Sequence, residues 1–458
     1  MKYISTMRNL SLSFLILLLG AVAISQSNIN SPYSSYGLGE ISGPDHAVSS
    51  ALGNTTVTIQ DSTLLNFYNP ATYGALGKGQ PLFSLGVSSK LSTFSENGNS
   101  SSSNITGIQN FALGMSLSKH FGLAFGLKPY ARRGYEFSDR VLIEEDSLIY
   151  TYSGEGGINE VFLGLSSNLL KYRGATVSVG ANFGYLFGNT SNTRKSALIE
   201  SGSSIYAGGI SIKSMQVRAF HYEMGLSYVQ KINDKHAISF SSVIEPFQKI
   251  NGTYEEGLYF GSNYENPNDF DTSSFTQTKS GNVSNVPSFT FGLNYTLKSI
   301  TKKGTSNELN SAISFHASYN ISDWSRYEHK FDNTFADSSF SPSSSKMTFG
   351  VEYIPETDFI TNKVTTKFYH RMKYRVGAYQ LTLPYQTGGE QVTDFGTTFG
   401  FGIPVVVQNS LSSINLGVTI GSRGVTNTQA FKEKYYGINI GVSIAPGSDR
   451  WFVKRKLN

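Results

Sequence analysis

The chain has 458 residues, no cysteine and a formal net charge of +5. The lack of cysteine excludes disulfide bridges and thiolate metal sites, so stability must come from burial and backbone pairing. The positive charge is too small and too dispersed for a protein that binds nucleic acid.

Residues 1–25 have the features of a secretory signal peptide. Lys2 and Arg8 precede an apolar run from Leu10 to Ile24, and small residues near its end offer a cleavage point. A membrane anchor is the alternative, but the run is barely long enough to span a bilayer. Beyond it the chain contains no stretch of about 18 apolar residues, so it offers no transmembrane helix, whereas alternating strands could still cross a membrane.

The segment Ser31–Leu76 differs from the rest of the chain. It has no periodic pattern, is interrupted by glycine and asparagine, and closes on Asn69-Pro70-Ala71. Everything after it consists of alternating segments. We therefore predict that residues 26–79 form a plug, or hatch, inside whatever the strands build.

From residue 80 onwards the chain alternates apolar residues with small polar ones, as in residues 435–445. Many segments reach ~10 residues, the length a tilted strand needs to cross a bilayer. Their second face is glycine, serine, asparagine and threonine, which suits a barrel lumen better than the solvated face of a soluble sandwich. We predict an all-β fold, a transmembrane antiparallel β-barrel over residues 80–446. The fourteen expected strands cover residues 80–94, 107–119, 121–136, 157–171, 174–190, 208–231, 235–250, 284–299, 308–322, 344–357, 365–383, 390–404, 410–422 and 435–446.

Long polar gaps alternate with tight turns between these strands, as in bacterial outer-membrane barrels. The long gaps are 95–106, 137–156, 189–207, 251–283 and 323–343, and the tight turns are Lys119-His120, Arg173-Gly174 and Asn233-Asp234. The regular alternation of long gaps and tight turns predicts a barrel in the outer membrane of a Gram-negative bacterium, with both termini periplasmic and the long loops extracellular. Residues 447–458 are then a basic periplasmic tail.

Three motifs precede the first strand: SSYGLGE at 34–40, ALGN at 51–54 and NFYNPATYGAL at 66–76. With them the chain resembles the FadL-type outer-membrane transport family of fatty-acid and hydrocarbon channels. GEGGIN at 154–159, SSINLGVTIGSRG at 412–424 and DRWFVKRK at 449–456 resemble a divergent branch whose members begin with an SPYSRFGLG-like sequence. The resemblance covers nearly the whole mature chain. It implies a fourteen-stranded barrel plugged by an N-terminal hatch that carries an Asn-Pro-Ala motif.

Asn69 and Pro70 are the first candidate gate residues. Proline fixes φ and pushes the preceding residue out of the helical region, so we expect it to end a short hatch helix at a defined place. Two roles remain open for this motif. It either positions the hatch for displacement or forms a turn that joins the plug to the first strand.

Pro129 lies inside the third expected strand, where a proline cannot donate to the ladder and marks an edge, bulge or kink. In FadL-type barrels a kink in the third strand opens a lateral gap through which hydrophobic ligand leaves the lumen, and the resemblance implies this role for Pro129. The alternative is a bulge without function near the outer rim. Arg132 and Arg133 follow it and are similarly ambiguous.

Arg371, Lys373 and Arg375 recur at period two in the eleventh expected strand, together with Tyr369 and Tyr379. This basic column must face the lumen, because charge at the lipid midplane costs roughly 2–4 kcal/mol per residue. It either steers an anionic headgroup or neutralises plug carboxylates. The candidate carboxylates are Glu40, Asp45 and Asp61.

The sequence indicates no catalytic, metal or cofactor site, since its seven histidines lack metal-ligand spacing and no nucleophile elbow occurs. We expect a passive outer-membrane channel for hydrophobic or amphipathic small molecules, gated by the hatch, with lateral release near Pro129. The alternative is a structural barrel subunit of a larger outer-membrane assembly without a substrate of its own, and a barrel enzyme is a third. The expected partners are outer-membrane lipid and lipopolysaccharide, a hydrophobic ligand and other outer-membrane proteins, with the barrel itself monomeric and no nucleic acid bound.

Overall fold

The structure is a computed structural model. It describes residues 31–43, 46–77, 80–143, 146–199, 205–261, 271–299, 310–331, 343–358, 367–387, 389–407, 410–425 and 431–445. The expected signal peptide (1–25) and basic tail (447–458) lie outside these ranges. None of the helices in the described ranges is long and apolar enough to cross a membrane.

Strands make up most of the described chain. They are β1 (Glu40–Ile41), β2 (Leu82–Glu96), β3 (Asn99–Ser116), β4 (Phe121–Arg132), β5 (Tyr135–Ile143), β6 (Asp146–Tyr172), β7 (Ala175–Ile199), β8 (Ile205–Lys231), β9 (His236–Glu245), β10 (Lys249–Gly261), β11 (Asp271–Ser284), β12 (Ser288–Lys298), β13 (Ala312–Asp323), β14 (His329–Lys330), β15 (Ser343–Ile354), β16 (Lys373–Thr387), β17 (Glu390–Val407), β18 (Ser410–Gly424) and β19 (Lys432–Ile444). The helical elements are α1 (Ala47–Ala51), α2 (Phe368–Arg371) and the 3₁₀ turns Pro32–Ser35, Pro70–Ala75 and Trp324–Arg326.

Fourteen of these strands close into one antiparallel barrel within the described residues. Each pairs with the next strand of the ring, and the ring closes where β19 pairs with β2, as at Ile440–Val87. Strands β1, β5, β10, β11 and β14 stand outside the ring. The prediction of a fourteen-stranded antiparallel barrel is confirmed.

The two faces of the barrel strands carry different residues. Along β19, Ile438 and Ile440 are exposed on the outside, whereas Asn439 and Ser443 are buried towards the lumen. The same alternation places Phe125 of β4 outside. Period-two alternation thus builds an apolar outer band around a small, polar inner face, as a bilayer-spanning barrel requires.

Several gaps expected as loops are strands instead. β2 and β3 continue through 95–106 and meet at Asn97-Gly98, where both residues have positive φ, the requirement of a type I′ hairpin turn. Much of 137–156 and 251–283 forms the hairpins β5–β6 and β10–β11. A sheet with water on both faces does not need apolar residues at every second position, so the polar composition of these segments is compatible with strands. We call this end of the barrel the extended end, and the opposite end, with residues 117–120, 173–174 and 232–235, the turn end.

The N-terminal segment 31–77 occupies the inside of the barrel, which confirms the predicted plug. Its helix α1 packs against β16 to β19, and its 3₁₀ turn at Pro70–Ala75 packs against β3, β4, β6, β7 and β8. Apolar plug side chains are almost fully buried, among them Leu52, Phe67 and Tyr73. The plug therefore contacts two different parts of the inner wall of the barrel, one at β16 to β19 and the other at β3 to β8.

Candidate functional site

The candidate site is a cavity of about 500 Å³ between the plug and the inner wall of the barrel. Serine, threonine and asparagine side chains form much of its lining, and charged side chains of both signs, including Lys90, Glu245 and Arg423, also face it. Sites for hydrophobic small molecules are usually lined mainly by apolar and aromatic groups. Apolar atoms, including the rings of Tyr130 and Tyr385, still make up the larger share of its surface, so this lining is mixed and does not by itself decide what kind of molecule it could hold.

The Asn-Pro-Ala motif lies at the turn end of the plug and is fully enclosed. The Asn69 side chain accepts a hydrogen bond from the Ala71 N–H (3.1 Å) and donates one to the Val57 carbonyl (2.8 Å). Pro70 occupies the first position of the 3₁₀ turn, where its missing N–H costs nothing. The expectation that this proline ends a helix was wrong, because it begins one, and Asn69 caps it.

Two barrel glycines allow this turn to approach the wall closely. A Cβ at Gly180 of β7 would overlap the backbone of Pro70, and a Cβ at Gly122 of β4 would overlap the backbone of Tyr73. The Tyr73 hydroxyl donates to Oδ1 of Asn182 (2.8 Å), which fixes the turn against β7. The small inner face of the wall is thus shaped to the plug.

Helix α1 begins at a histidine. The His46 Nδ1 accepts a hydrogen bond from the Val48 N–H (3.3 Å), so the ring caps the helix only when this nitrogen is unprotonated. Burial, with a smaller contribution from the Arg375 guanidinium, lowers the pKa of His46 to about 4. Sequence reasoning treated this histidine as unremarkable.

Two members of the predicted basic column face the plug from β16. Lys373 forms an ion pair with the plug residue Asp61. Burial alone would raise the pKa of Asp61, but the Lys373 ammonium and hydrogen bonds from Thr63 hold it well below its usual range. Arg375 binds Glu352 of the neighbouring strand (2.7 Å) and Asn415 (2.9 Å).

The third member, Arg371, does not belong to the column. It lies in α2 with Tyr369, before β16 begins at Lys373, so period-two spacing does not apply to either residue. The expected strand over 365–383 was therefore too long at its start. Asp45, one of the three carboxylates considered as plug partners, lies outside the described residues.

A second ion-pair centre surrounds Arg423 of β18. Its guanidinium binds Glu40 of the plug (2.8 Å) and Asp394 of β17 (3.0 Å), and the Tyr435 hydroxyl donates to the same aspartate (2.6 Å). Lys90 of β2 pairs with Glu433 of β19 (2.8 Å). Sequence analysis missed this centre, although charged residues at inward positions of strands were its available signal.

A third cluster lies on β4, β6, β8 and β9 beside the cavity, which its residues Glu223 and Glu245 line. Lys128 lies 3.3 Å from Glu223 and 3.4 Å from Glu160. His221 joins two carboxylates, with Nδ1 at 3.0 Å from Glu160 and Nε2 at 2.9 Å from Glu245. One lysine and one histidine thus face three carboxylates across four strands, and sequence reasoning singled out none of them. Among the described residues no group of histidine, aspartate and glutamate is arranged to hold a metal ion.

The two arginines after Pro129 have different surroundings. Arg133 is buried and donates hydrogen bonds to the plug carbonyls of Ser34 (3.3 Å) and Gly37. Arg132 lines the cavity, and its backbone pairs with Glu40 of the plug strand β1. Arg133 therefore holds the first plug residues, a role that its position in the sequence did not indicate.

Pro129 coincides with an irregularity in the third barrel strand. The register between β4 and β6 shifts between Pro129 and Ala131. On the other side of β4, the ladder with β3 ends at Phe111–Leu127. Beyond that point β4 pairs with β1 of the plug at Arg132–Glu40 and Ala131–Ile41. The seam between the second and third barrel strands is thus open towards the extended end.

Comparisons with known proteins agree on the architecture. A model of the family described as BamG matches residues 7–458. The structure is similar to that of a FadL homologue from Pseudomonas aeruginosa, with a TM-score of 0.51 and 12% identity over 87% of this chain and 97% of that chain. It is also similar to the toluene transporter TodX of Pseudomonas putida, with a TM-score of 0.50 and 14% identity over 89% and 99%. No curated protein matches by sequence. Identities this low carry over the fold alone.

Proposed function

The chain belongs to the BamG family, whose model spans residues 7–458, and from that premise we propose that it is a plugged barrel subunit of an outer-membrane assembly, the Bam complex. The observation that supports the proposal is a plug joined to the barrel wall by two ion pairs inside the lumen. Lys373 binds Asp61, and Arg423 binds Glu40. The protein then contributes its surface to the assembly and needs no substrate of its own.

The energetics of the lumen support a plug that stays in place. Displacing it would separate both ion pairs. Arg423 would keep its wall partner Asp394. Lys373 and Asp61 would lose each other, and separating a buried or partly buried pair is unfavourable because each charge loses its compensation. The buried hydrogen bonds between wall and plug, from Tyr73 to Asn182 and from Arg133 to Ser34, add to this cost. Such a plug fits a structural barrel better than a gate that opens at each transport event.

The apolar outer band supports a barrel that lies in the outer membrane, where we propose that it contacts lipid and lipopolysaccharide. The turn end then faces the periplasm and the extended end faces the outside, as in other bacterial barrels. A single chain closes its own ring, so a second copy is not needed to complete the barrel. The partners are therefore other outer-membrane proteins, and no step of the proposal is enzymatic.

The second candidate function is a passive channel for hydrophobic or amphipathic small molecules. It is favoured by the open seam beside Pro129 and by the shared fold of the toluene transporter TodX. In that case the plug turn at Asn69 and Pro70 would move, and ligand would leave through the seam. The charged side chains that face the cavity, such as Lys90 and Arg423, disfavour a purely apolar ligand but leave an amphipathic one possible in this function.

Affinity isolation tests the proposal. The full chain, tagged at an exposed turn of the turn end such as residues 233–234, is purified from its own outer membranes in mild detergent. An unrelated tagged barrel of similar abundance serves as the control. We expect Bam proteins in fixed stoichiometry with this chain and not with the control. Isolation of the chain without them, or equal recovery with the control, would overturn the proposal.

A further inference from the structure

The open seam between β3 and β4 presents a strand edge to the lumen. The two strands pair only from Ser116–Gly122 to Phe111–Leu127. Further towards the extended end, residues 104–108 and Asn110 of β3 pair with β2 alone, and the register between the two strands shifts at Gln109. Within the described part of the chain, no main-chain hydrogen bond reaches the other side of these residues.

The opposite side of the seam already holds an added strand. The plug strand β1 pairs with β4 at Ile41–Ala131, and the Ser42 N–H continues this ladder by donating to the Tyr130 carbonyl (2.9 Å). Locally the sheet order is therefore β6, β4, β1, then a gap, then β3 and β2. The plug has entered the sheet at the place where the barrel ladder stops.

The cavity extends into this gap. Its lining includes residues 40–43 on the plug side and residues 105–109 on the β3 side. The edge of β3 faces this gap because its ladder with β4 stops at Phe111–Leu127, while residues 105–109 beyond that point line the cavity. We call the space between β1 and residues 104–110 the strand slot.

The side chains of β3 do not cover this edge. Asn104 accepts a hydrogen bond from Ser89 (3.2 Å), and Thr106 donates to the same serine (2.9 Å), so both turn towards β2. Position 107 is a glycine with open space around its Cα. The N–H and C=O groups of the edge therefore remain accessible to an incoming main chain.

We propose that the strand slot receives an extended polypeptide segment of a partner protein, which pairs with residues 104–110 of β3 as an added strand. The inference rests on the proposed function and names how a partner is held. A strand edge is a template for another strand, because its N–H and C=O groups alternate at fixed spacing. An acyl chain satisfies none of these groups. Seven paired residues correspond to a segment about 23 Å long.

Proline scanning of the slot tests the inference with an internal control. Single prolines replace Asn104, Ile105, Thr106 and Gly107 in the tagged full chain, expressed in its own outer membrane. Along β3, the N–H groups of successive residues point alternately towards β2 and towards the slot. Because proline has no N–H, a proline at one position removes a main-chain hydrogen bond to β2, and a proline at the next position removes one to the slot. Prolines on the β2 side lower the melting temperature of the barrel. Prolines on the slot side leave that temperature unchanged.

The decisive readout is recovery of the partner. A slot-side proline should reduce co-purifying partner by about 3- to 10-fold, the effect of one lost main-chain hydrogen bond, while the barrel stays folded. Full recovery with every slot-side proline overturns the strand slot and leaves the proposed function standing. Absence of any partner from the wild-type chain overturns the proposed function itself.

Site-directed photocrosslinking decides the case even if the prolines prevent folding. The photoreactive residue benzoylphenylalanine is placed at Ile105, inside the slot, and at Phe399, on the lipid-facing side of β17, as the control. We expect a crosslink from Ile105 to one defined peptide of a partner protein, and lipid adducts from Phe399. Lipid adducts from Ile105, or a crosslink to another part of this chain, would contradict an incoming partner strand.

Discussion

Lys373 of β16 forms an ion pair with Asp61 of the plug, so a cation of the barrel wall and an anion of the plug neutralise each other inside the lumen. We expect Lys373→Met to destabilise the plug around Asp61 by about 1–3 kcal/mol, less than for a fully buried pair because the two side chains keep 19% and 26% of their surface exposed.

Hydrogen exchange of residues 56–66 in the purified barrel measures this effect. The double variant Lys373→Met with Asp61→Asn should recover part of the protection, since it leaves no uncompensated charge. Lys298→Met, at the exposed end of β12, is the matched control and should leave plug exchange unchanged. Equal exchange in wild type and Lys373→Met would mean that the ion pair does not hold the plug.

The capping histidine predicts a pH dependence of the plug. Burial holds the pKa of His46 at about 4, whereas a histidine in an unfolded chain titrates near 6.5. Between these values the unfolded plug binds a proton that the folded plug does not, so the plug loses stability as pH falls from 6.5 to 4, by up to about 3 kcal/mol. The depressed pKa of Asp61 makes the plug lose further stability at lower pH, as the pH falls below the ordinary carboxyl pKa.

Exchange of residues 46–52, corrected for its intrinsic pH dependence, should therefore accelerate as the pH is lowered through this window. His46→Asn keeps an acceptor for the Val48 N–H and cannot take up a proton, so it should give a flat profile. A wild-type profile as flat as that of the variant would rule out His46 as the titrating cap.

Arg133 anchors the first described plug residues by donating to the carbonyls of Ser34 and Gly37. Arg133→Met removes these bonds and should increase hydrogen exchange of residues 33–41 by about 10-fold, the effect of losing one charge-assisted hydrogen bond. Arg140→Met, in the exposed strand β5, removes a charge without touching the plug and should have no effect on these residues. Unchanged exchange in Arg133→Met would refute the anchor.

Pro129 separates the two candidate functions. Pro129→Val restores a main-chain donor in β4 and allows the ladder to continue. If the protein is an assembly subunit, liposomes carrying wild type and Pro129→Val should take up a labelled fatty acid at the same rate as liposomes with an unrelated closed barrel. Faster uptake by the wild type, abolished in Pro129→Val, would instead establish a channel with lateral release.

The strands were predictable because a barrel exposes apolar residues at every second position, as at Ile438 and Ile440. The plug was predictable because Ser31–Leu76 lacks that alternation. The hairpins at the extended end were not predictable from alternation, since both of their faces meet water and carry polar residues. For one of them, the Asn97-Gly98 pair was an available signal of a hairpin turn.

The partners of the luminal charges were only partly predictable. Inward position identified Lys373 and Arg375 as luminal, and Asp61 was one of three candidate partners. The pairing of Arg423 with Glu40 joins residues at opposite ends of the chain, and strand alternation gives no information on which inward residues meet across a lumen. The contact between β1 and β4 was not predictable either, because a strand of two residues is too short to show an alternating pattern in the sequence.

Native mass spectrometry of the chain purified from its own outer membrane distinguishes an assembly subunit from a channel, because it weighs protein partners and bound small molecules in one measurement. We expect a complex of this chain with Bam proteins in fixed stoichiometry and no defined amphiphile in the lumen. A single chain carrying one stoichiometric hydrophobic molecule, without protein partners, would contradict this expectation and establish the channel.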